Sequence, residues 1–219
     1  MTSQMSDMLT SFKPPQRTPD EWAAIRKAIE DDERKEAERQ TVSRIIESRI
    51  PKRYFGASLE SCEQSIQEWA AEPSDEGLLI QGSNGVGKTY AACCVLKANA
   101  CRGTILFSTA KDIIDDCKAS FNSGVSEKDV TARYTAVDML CIDDLGKERL
   151  TDWSLPILFQ IIDKRYNAMK PTIITTNCDG RTLFARMVTD DDDLSTARAI
   201  VSRMAAYKRV VMEGRDRRL

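Results

Sequence analysis

The chain has 219 residues, 42% apolar and 30% charged, a composition typical of one folded domain of about 150–200 residues with a modest extension. Its net charge of −2 provides no overall attraction to nucleic acid, so any anion-binding surface must be local. The sequence contains no His, which excludes His-dependent nucleophile triads, His-ligated metals and His proton switches.

Cysteine usage and the first residues bear on the compartment. The seven Cys form no Cys-x-x-Cys pair and fall mostly in apolar stretches, which favours reduced core thiols over a disulfide framework or a zinc site. The opening MTSQMSDMLTSF lacks the basic and apolar regions of a signal peptide, and no uncharged apolar run reaches the roughly 18–20 residues of a membrane span. We therefore expect a cytoplasmic protein with no membrane partner.

Residues 1–49 differ from the rest and are predicted to form a polar tail and a helical arm, with 50–219 as the main domain. Thr18-Pro19-Asp20-Glu21 predicts a helix start, because its first residue can cap the helix and its last can reach back. The helix would carry an apolar edge formed by Trp22, Ile25 and Ile29. That edge either packs on the main domain or docks on a partner, and the sequence leaves both interpretations open.

From Leu78 onward, short apolar runs alternate with helical patterns, which predicts an α/β fold with a central, mainly parallel five-stranded sheet between two helical layers. The predicted strands are Leu78–Gln81, Thr104–Ser108, Met139–Asp143, Thr172–Thr176 and Val210–Met212. The predicted helices cover 87–100, 110–121, 151–169 and 196–206. Pro156 lies about a turn inside the third of these helices and is expected to bend it.

The strongest motif is Gly82-Ser83-Asn84-Gly85-Val86-Gly87-Lys88-Thr89, which matches the phosphate-loop (Walker A) pattern G-x-x-x-x-G-K-[ST]. It follows an apolar run and opens a helix, so backbone N–H groups and the positive helix end would face an anion. We predict that this loop binds ATP, with Lys88 bridging the β- and γ-phosphates and the Thr89 hydroxyl ligating Mg²⁺. The alternative is a glycine-rich turn that binds nothing.

Two further strand ends supply polar side chains on the metal side. Met139–Asp143 is an apolar strand that ends in two acids; Asp143 is predicted to hold Mg²⁺ and Asp144 to orient or deprotonate the attacking water. Asn177 follows the next predicted strand, where an amide can contact the attacking water or the γ-phosphate. The two acids could instead be an ordinary solvated strand end, and Asn177 could be a turn former.

In this order the motifs resemble those of the AAA+ ATPases. Shorter stretches of sequence resemble the DnaC-type helicase loaders and the IstB-type transposition ATPases in particular. The resemblance covers about residues 50–219. It is carried by Ile50-Pro51-Lys52-Arg53-Tyr54, Ile142-Asp143-Asp144-Leu145-Gly146-Lys147-Glu148, Ile161-Ile162-Asp163-Lys164-Arg165-Tyr166-Asn167, Pro171–Asn177 and Ile200-Val201-Ser202-Arg203-Met204.

The resemblance implies a P-loop NTPase of the AAA+/RecA-like type whose site is completed between neighbouring subunits, hence self-association with ATP. Arg203 then stands in the place of the arginine finger, although on the residues alone it could be a surface or ion-pair residue. Asp144 stands where many AAA+ proteins carry Glu, so we expect slow turnover. Because the chain ends soon after Arg203, we also expect no separate C-terminal lid.

Two regions are candidates for contact with single-stranded DNA. The segment 198–219 is locally basic, although a solvated tail is the alternative; its cations are Arg198, Arg203, Lys208, Arg209, Arg215, Arg217 and Arg218. The second region matches the place where the resembled family binds single strands, and it holds Lys111, Lys118, Phe121 and Lys128. Phe121 could equally be a core residue.

These observations predict an ATP- and Mg²⁺-binding ATPase that loads a replicative helicase onto single-stranded DNA. The nearest alternative is a transposition accessory ATPase that delivers a transposase to DNA. A small-molecule phosphotransferase and an ATP-gated adaptor that never hydrolyses are less favoured.

Overall fold

The computed structural model describes residues 17–74, 76–121, 124–148, 150–188 and 193–216. The chain divides into two compact units, Met1–Gln40 and Thr41–Leu219. Apart from Arg17, the predicted polar tail lies outside the described residues. In the parts of the chain that are described, no helix is long and apolar enough to cross a bilayer.

The first helix, α1, spans Pro19–Glu47 and starts as predicted. The Thr18 N–H donates to Glu21 Oε2 at 2.7 Å, and the Glu21 N–H donates to Thr18 Oγ1 at 3.3 Å. This reciprocal pair satisfies two N–H groups that the first helical turn leaves without intrahelical partners. Trp22 and Ile29 stay about half exposed, and the Arg17 guanidinium stacks on the Trp22 ring at 5.2 Å.

The larger unit alternates strands and helices. After two short 3-10 helices, Lys52–Tyr54 and Leu59–Ser61, its helices are α2 Gln64–Ala71, α3 Lys88–Asn99, α4 Ala110–Ser120, α5 Glu127–Ala136, α6 Ser154–Asn167, α7 Gly180–Met187 and α8 Asp193–Met204. Its strands are β1 Leu78–Gly82, β2 Ile105–Thr109, β3 Met139–Asp143, β4 Thr172–Thr176 and β5 Lys208–Met212.

The five strands form one sheet in the order β2-β3-β4-β1-β5, and every neighbouring pair is parallel. This confirms the predicted five-stranded α/β architecture. Strand β4 lies between β1, which leads into the glycine-rich loop, and β3, which ends in the acids. Because parallel strands end at the same edge, that edge carries the loop, the acids and Asn177 together.

Both faces of the sheet are buried, which gives three layers. On β3, Leu140 and Ile142 join a core built with helices α4 to α8, while Met139 and Cys141 join a second core with α2 and α3. Successive side chains of a strand point to opposite faces, so this alternation follows directly from the pleat. All seven cysteines are described, and five are buried: Cys93, Cys94, Cys117, Cys141 and Cys178.

The observed helices differ from the predicted ones in number and in their bounds; α8, for example, begins at Asp193 rather than 196. Helices α2, α5 and α7 were not predicted, because each has only 8 or 10 residues and only two or three buried ones. Helix α6 begins at Ser154 rather than 151, so Pro156 falls within its first turn. An N–H there has no intrahelical acceptor in any case, and the expected bend at Pro156 loses its physical cause.

A buried arginine fastens the opposite edge of the sheet. Arg165 on α6 is 0% exposed and donates to four backbone carbonyls and one hydroxyl, those of Tyr134, Val137, Asp138, Pro171 and Thr172. Burial lowers the pKa of Arg165 to about 10. The guanidinium therefore joins the segments that enter β3 and β4, the two strands that carry the acids and the amide.

Candidate nucleotide-binding site

The loop between β1 and α3 is shaped as an anion cradle. Gly85 and Gly87 have φ values of +78° and +105°, in the left-handed region that glycine enters without a Cβ clash. Helix α3 begins at Lys88 without a side-chain cap at its N-terminus. The positive end of its dipole therefore points at the loop, a direction that favours an anion there.

Lys88 is held inside this loop. Its side chain is buried, with the residue 6% exposed, and its ammonium donates to the Ser83 carbonyl at 2.8 Å. An ammonium at this depth needs anionic or carbonyl oxygens around it. The loop's own carbonyl supplies one such oxygen, and phosphate oxygens bound in the cradle would supply more.

Asp143 ends β3 beside Thr89. The Thr89 hydroxyl lies 3.1 and 3.0 Å from the two Asp143 carboxylate oxygens, and the Thr175 hydroxyl donates to Asp143 Oδ1 at 2.6 Å. The residue is 4% exposed, and burial raises the pKa of its carboxyl group, while the two hydroxyls oppose the shift.

This donor set fits Mg²⁺. Within the described residues no lysine or arginine forms an ion pair with Asp143, so a buried carboxylate faces the Thr89 hydroxyl without a cation in contact. Mg²⁺ prefers one or two oxygen ligands from protein together with phosphate oxygens and water. Thr89 and Asp143 are the residues that would hold it.

Asp144 turns out of the strand immediately afterwards. Its φ of +58° is left-handed, a conformation that Asp tolerates better than most residues. The Asp144 N–H donates to Thr175 Oγ1 at 2.9 Å, and its carboxylate pairs with the Lys147 ammonium at 3.1 Å. Thr175 thus links both acids of the predicted pair, a role that strand periodicity does not reveal.

Asn177 reaches the loop from the end of β4. Its amide nitrogen donates to Asn84 Oδ1 at 2.8 Å, and the residue is exposed. The structure therefore brings together at one edge the loop, Thr89, both acids and Asn177. Their roles in binding and hydrolysis stay predictions.

A cavity of about 430 Å³ opens at this edge, a volume within the range of small-molecule sites. It is lined by Tyr54, Ser61, Asn84, Gly85, Gly87, Lys88, Thr89, Tyr90, Asp144 and Lys147. The Tyr90 hydroxyl accepts from the Ser58 N–H at 3.1 Å and lies 2.9 Å from Ser61 Oγ. Sequence reasoning assigned no role to Tyr54, Ser61, Tyr90 or Lys147.

Arg203 lies among other side chains rather than in this cavity. Its Nε donates to Asp163 Oδ1 at 2.7 Å, its Nη2 pairs with the same carboxylate, and its Nη1 donates to the Ala199 carbonyl at 3.0 Å. The guanidinium also stacks 4.9 Å from the Phe159 ring centroid. Arg203, the predicted arginine finger, therefore packs against α6, and its side chain is 25% exposed.

The candidate nucleic-acid contacts lie elsewhere. Phe121 is 66% exposed rather than in the core, and its ring packs 5.5 Å from that of Trp153. Lys118 and Lys128 are exposed, whereas Lys111 is paired with Asp115.

The basic C-terminal segment is less available to nucleic acid than its sequence indicates. Arg203 is engaged by Asp163, and the Arg209 Nε donates to Gln81 Oε1 at 2.8 Å. Arg198, Lys208 and Arg215 are exposed. The predicted contacts at Arg217 and Arg218 lie outside the described residues.

Residues 59–218 match the model of a family described as IstB-like ATP binding protein. Over 122 residues the chain is 30% identical to the replicative helicase loader DnaC of Escherichia coli K12, covering 55% of this chain and 49% of that protein. Over 103 residues it is 32% identical to the insertion sequence IS5376 putative ATP-binding protein of Geobacillus stearothermophilus, covering 47% and 40%. The chain spans about half the length of the curated relatives it matches.

Solved structures share the fold. A crystal structure of the DnaC helicase loader superposes with a TM-score of 0.59 at 30% identity, covering 74% of this chain and 100% of that one. DnaI gives 0.63 at 24% identity, covering 76% and 93%. DnaA bound to AMPPCP and single-stranded DNA gives 0.62 at 19%, covering 76% and 52%. The fold is therefore the P-loop AAA+ fold, as the motif order predicted.

Proposed function

We propose, because the chain belongs to the IstB-like ATP binding protein family, that it binds ATP with Mg²⁺, hydrolyses it slowly, and loads a replicative helicase onto single-stranded DNA. One observation carries the nucleotide part of this proposal. Lys88, the Thr89 hydroxyl and the buried Asp143 carboxylate lie at the mouth of one glycine-rich loop, beside a cavity large enough for a nucleotide.

Binding is assigned to the loop and its lysine. Backbone N–H groups of residues 83–89 and the Lys88 ammonium would hold the phosphates, and Thr89 with Asp143 would hold the metal. When bound, Mg²⁺ neutralises phosphate charge and orients the γ-phosphate. Tyr54 and Tyr90, whose rings meet edge-to-face at 6.2 Å, would then face the base or ribose from the outer wall of the cavity.

Hydrolysis is assigned to Asp144, Asn177 and Arg203. The Asp144 carboxylate would orient the attacking water and accept its proton, and the Asn177 amide would contact that water or the γ-phosphate. Arg203 would act on the nucleotide of a neighbouring subunit, where an always-charged guanidinium stabilises phosphoryl charge. Asp is one methylene shorter than the Glu found in many AAA+ proteins, which supports slow turnover.

The helicase-loading role is supported by relatives rather than by the site. The DnaC proteins that resemble this chain are named replicative helicase loaders, and the resemblance extends across the nucleotide-binding unit. Residues 1–49, with the exposed Trp22 and Ile29 on α1, would provide the docking arm for the helicase. The protein would act in the cytoplasm, assembled with itself in the presence of ATP.

Contact with single-stranded DNA is assigned to Phe121, Trp153 and the lysines nearby. The exposed Phe121 ring, packed against the partly buried Trp153, offers a face on which bases stack without sequence preference, and Lys118 and Lys128 can pair with phosphates.

A reconstituted loading assay tests the proposal. The wild-type chain, ATP and the replicative helicase of the source organism are mixed with circular single-stranded DNA, and DNA-bound helicase is measured. We expect ATP-dependent retention of helicase that is lost in Lys88→Ala and weakened in Phe121→Ala. If the amount of DNA-bound helicase is the same with and without the wild-type chain, the loading role is contradicted.

A second candidate is a transposition accessory ATPase. It is favoured by the family match and by the 32% identity to the IS5376 protein. Here the same assay would show no helicase retention, and the ATP-bound chain would instead bind a transposase encoded beside its own gene. ATP binding would be unchanged, so Lys88→Ala would abolish transposase capture as well.

A further inference from the structure

A lysine that follows the acidic strand forms a close contact with the proposed water-orienting carboxylate. The Lys147 ammonium lies 3.1 Å from Asp144 Oδ2, and both side chains line the cavity that holds Lys88. The Lys147 N–H also donates to the Asp144 carbonyl at 3.2 Å, which closes a four-residue turn. Backbone and side chain therefore join the same two residues.

This turn is fixed from behind by several contacts. Its third residue, Gly146, has a φ of +82°, which glycine adopts without strain, and a Cβ there would lie 2.5 Å from Leu183. Thr175 accepts the N–H groups of the first two turn residues through its hydroxyl and its carbonyl. Arg186 on α7 donates to the Gly146 carbonyl at 2.7 Å.

These constraints distinguish the pair from an ordinary surface ion pair. Exposed pairs on mobile side chains contribute little, because ordering two long side chains costs entropy. Here the Lys147 side chain is 62% exposed, but the backbone of both residues is fixed and the Asp144 side chain is only 30% exposed. From this fixed backbone the Lys147 ammonium pairs with Asp144, and the pair limits the orientations of that carboxylate at the cavity wall.

The charge arrangement gives the lysine a second effect. Asp143 and Asp144 are consecutive acids, so their two carboxylates repel each other when both are charged. A cation on the far side of Asp144 offsets part of that repulsion. It also adds positive charge at the edge of the cavity where hydrolysis would place negative phosphoryl oxygens.

We infer that Lys147 is a positioning residue for ATP hydrolysis, which acts by holding the Asp144 carboxylate in its water-orienting place. The inference rests on the proposed ATPase function and extends it to a residue that neither the phosphate-loop motif nor the acid pair includes. Lys147 acts within its own subunit, whereas Arg203 would act on a neighbouring one.

The experiment uses the full chain with the variants Lys147→Met, Lys147→Arg, Asp144→Asn and the double variant Lys147→Met/Asp144→Asn. The control is Lys164→Met, an exposed lysine on α6. Three quantities are measured with Mg²⁺: affinity for fluorescent ADP, affinity for ADP with aluminium fluoride as a transition-state analogue, and the single-turnover rate of ATP cleavage. Thermal melting checks that each variant is folded.

We expect Lys147→Met to keep ADP affinity within about twofold and to lower the single-turnover rate between about 10- and 100-fold. Affinity for ADP with aluminium fluoride should fall in parallel, because only the transition-state geometry uses the positioned carboxylate. Lys147→Arg should restore most of the rate. In the Asp144→Asn background, Lys147→Met should lower the single-turnover rate by less than about a further twofold.

Two results would overturn the inference. One is a single-turnover rate of Lys147→Met within about twofold of the wild-type rate. The other is a fold-loss on Lys147→Met that is as large in the Asp144→Asn background as in the wild type. A wild-type chain that binds no nucleotide would refute the proposed function itself. A wild-type chain that binds ATP but never cleaves it would refute the ATPase assignment and this inference together, and leave the binding assignment standing.

Discussion

Thr175 explains how two adjacent acids acquire different environments. Its hydroxyl donates to Asp143 Oδ1 and accepts the N–H of Asp144, so one small side chain holds the first carboxylate inward and turns the second outward. The first acid is buried beside Thr89, whereas the second faces the cavity with Lys147. The separation suits a metal ligand and a water-orienting group, the two tasks proposed for them.

The contacts of Arg203 define a test of its role. Arg203→Ala should leave ATP affinity within about twofold and lower steady-state hydrolysis by at least about 100-fold, because a neighbouring subunit loses its finger. Mixing Arg203→Ala with Lys88→Ala subunits should restore part of the activity, since each mixed interface can pair an intact loop with an intact arginine.

A purely internal role for Arg203 makes a different prediction. If its task is only to hold α8 on α6 through Asp163, then Arg203→Ala and Asp163→Asn should lower the melting temperature alike, with no recovery of hydrolysis on mixing. Hydrolysis by isolated Arg203→Ala monomers at the wild-type rate would contradict the finger assignment.

Helix α6 fixes the sheet through one arginine. Arg165→Met should destabilise the larger unit by about 3 kcal/mol or more, because five buried oxygens lose their donor and cannot regain water. Chemical denaturation measures the loss, and the exposed Lys164→Met on the same helix is the control. A change in the free energy of unfolding below about 0.5 kcal/mol would contradict this role of Arg165.

The elements that sequence predicted best are those with strong local signals. Strands β3 and β4 match the prediction residue for residue, because each is a short apolar run with a polar end. Helix α5 was not predicted because it buries only Val130, Thr131 and Tyr134, too few for a clear period. Helix α6 was predicted too long at both ends, and at its start no side-chain cap marks where the helix begins.

The site shows the same division. The residue types and spacing of the glycine-rich loop predict phosphate binding, so the edge where Thr89 meets Asp143 could be predicted. The Lys147 contact could not, because it depends on a turn that residues distant in sequence hold in place, Thr175 and Arg186. Arg203 was placed by resemblance, and its bond to Asp163 depends on how α8 packs on α6, which no local pattern encodes.

At the level of the whole molecule, the last turn of α1 and the residues that follow it join several parts of the nucleotide-binding unit. The Arg44 guanidinium donates to the Ala100 carbonyl at 2.9 Å, and the Ser48 carbonyl accepts from the Phe107 N–H of edge strand β2 at 2.7 Å. Arg49 pairs with Asp116 at 2.8 Å. These contacts belong to the unit that begins at Thr41.

Two truncations separate this anchor from the arm. Removal of residues 1–40 should leave a folded chain that binds ATP as wild type does but no longer captures the helicase. Removal of 1–49 also deletes the contacts of Ser48 and Arg49, and should lower the melting temperature by several degrees. Helicase capture by the chain that lacks residues 1–40 would assign docking to the larger unit. Equal melting temperatures of the two truncated chains would show that the contacts of Ser48 and Arg49 do not stabilise that unit.

The account depends most on the grip of the glycine-rich loop on a triphosphate. Calorimetric titration of ATP into the purified chain, with and without Mg²⁺, measures it directly, with Lys88→Ala and the exposed Lys164→Ala as the matched pair. We expect saturable heat that strengthens with Mg²⁺, persists in Lys164→Ala and disappears in Lys88→Ala. No saturable heat in the wild type, or undiminished affinity in Lys88→Ala, would contradict the account.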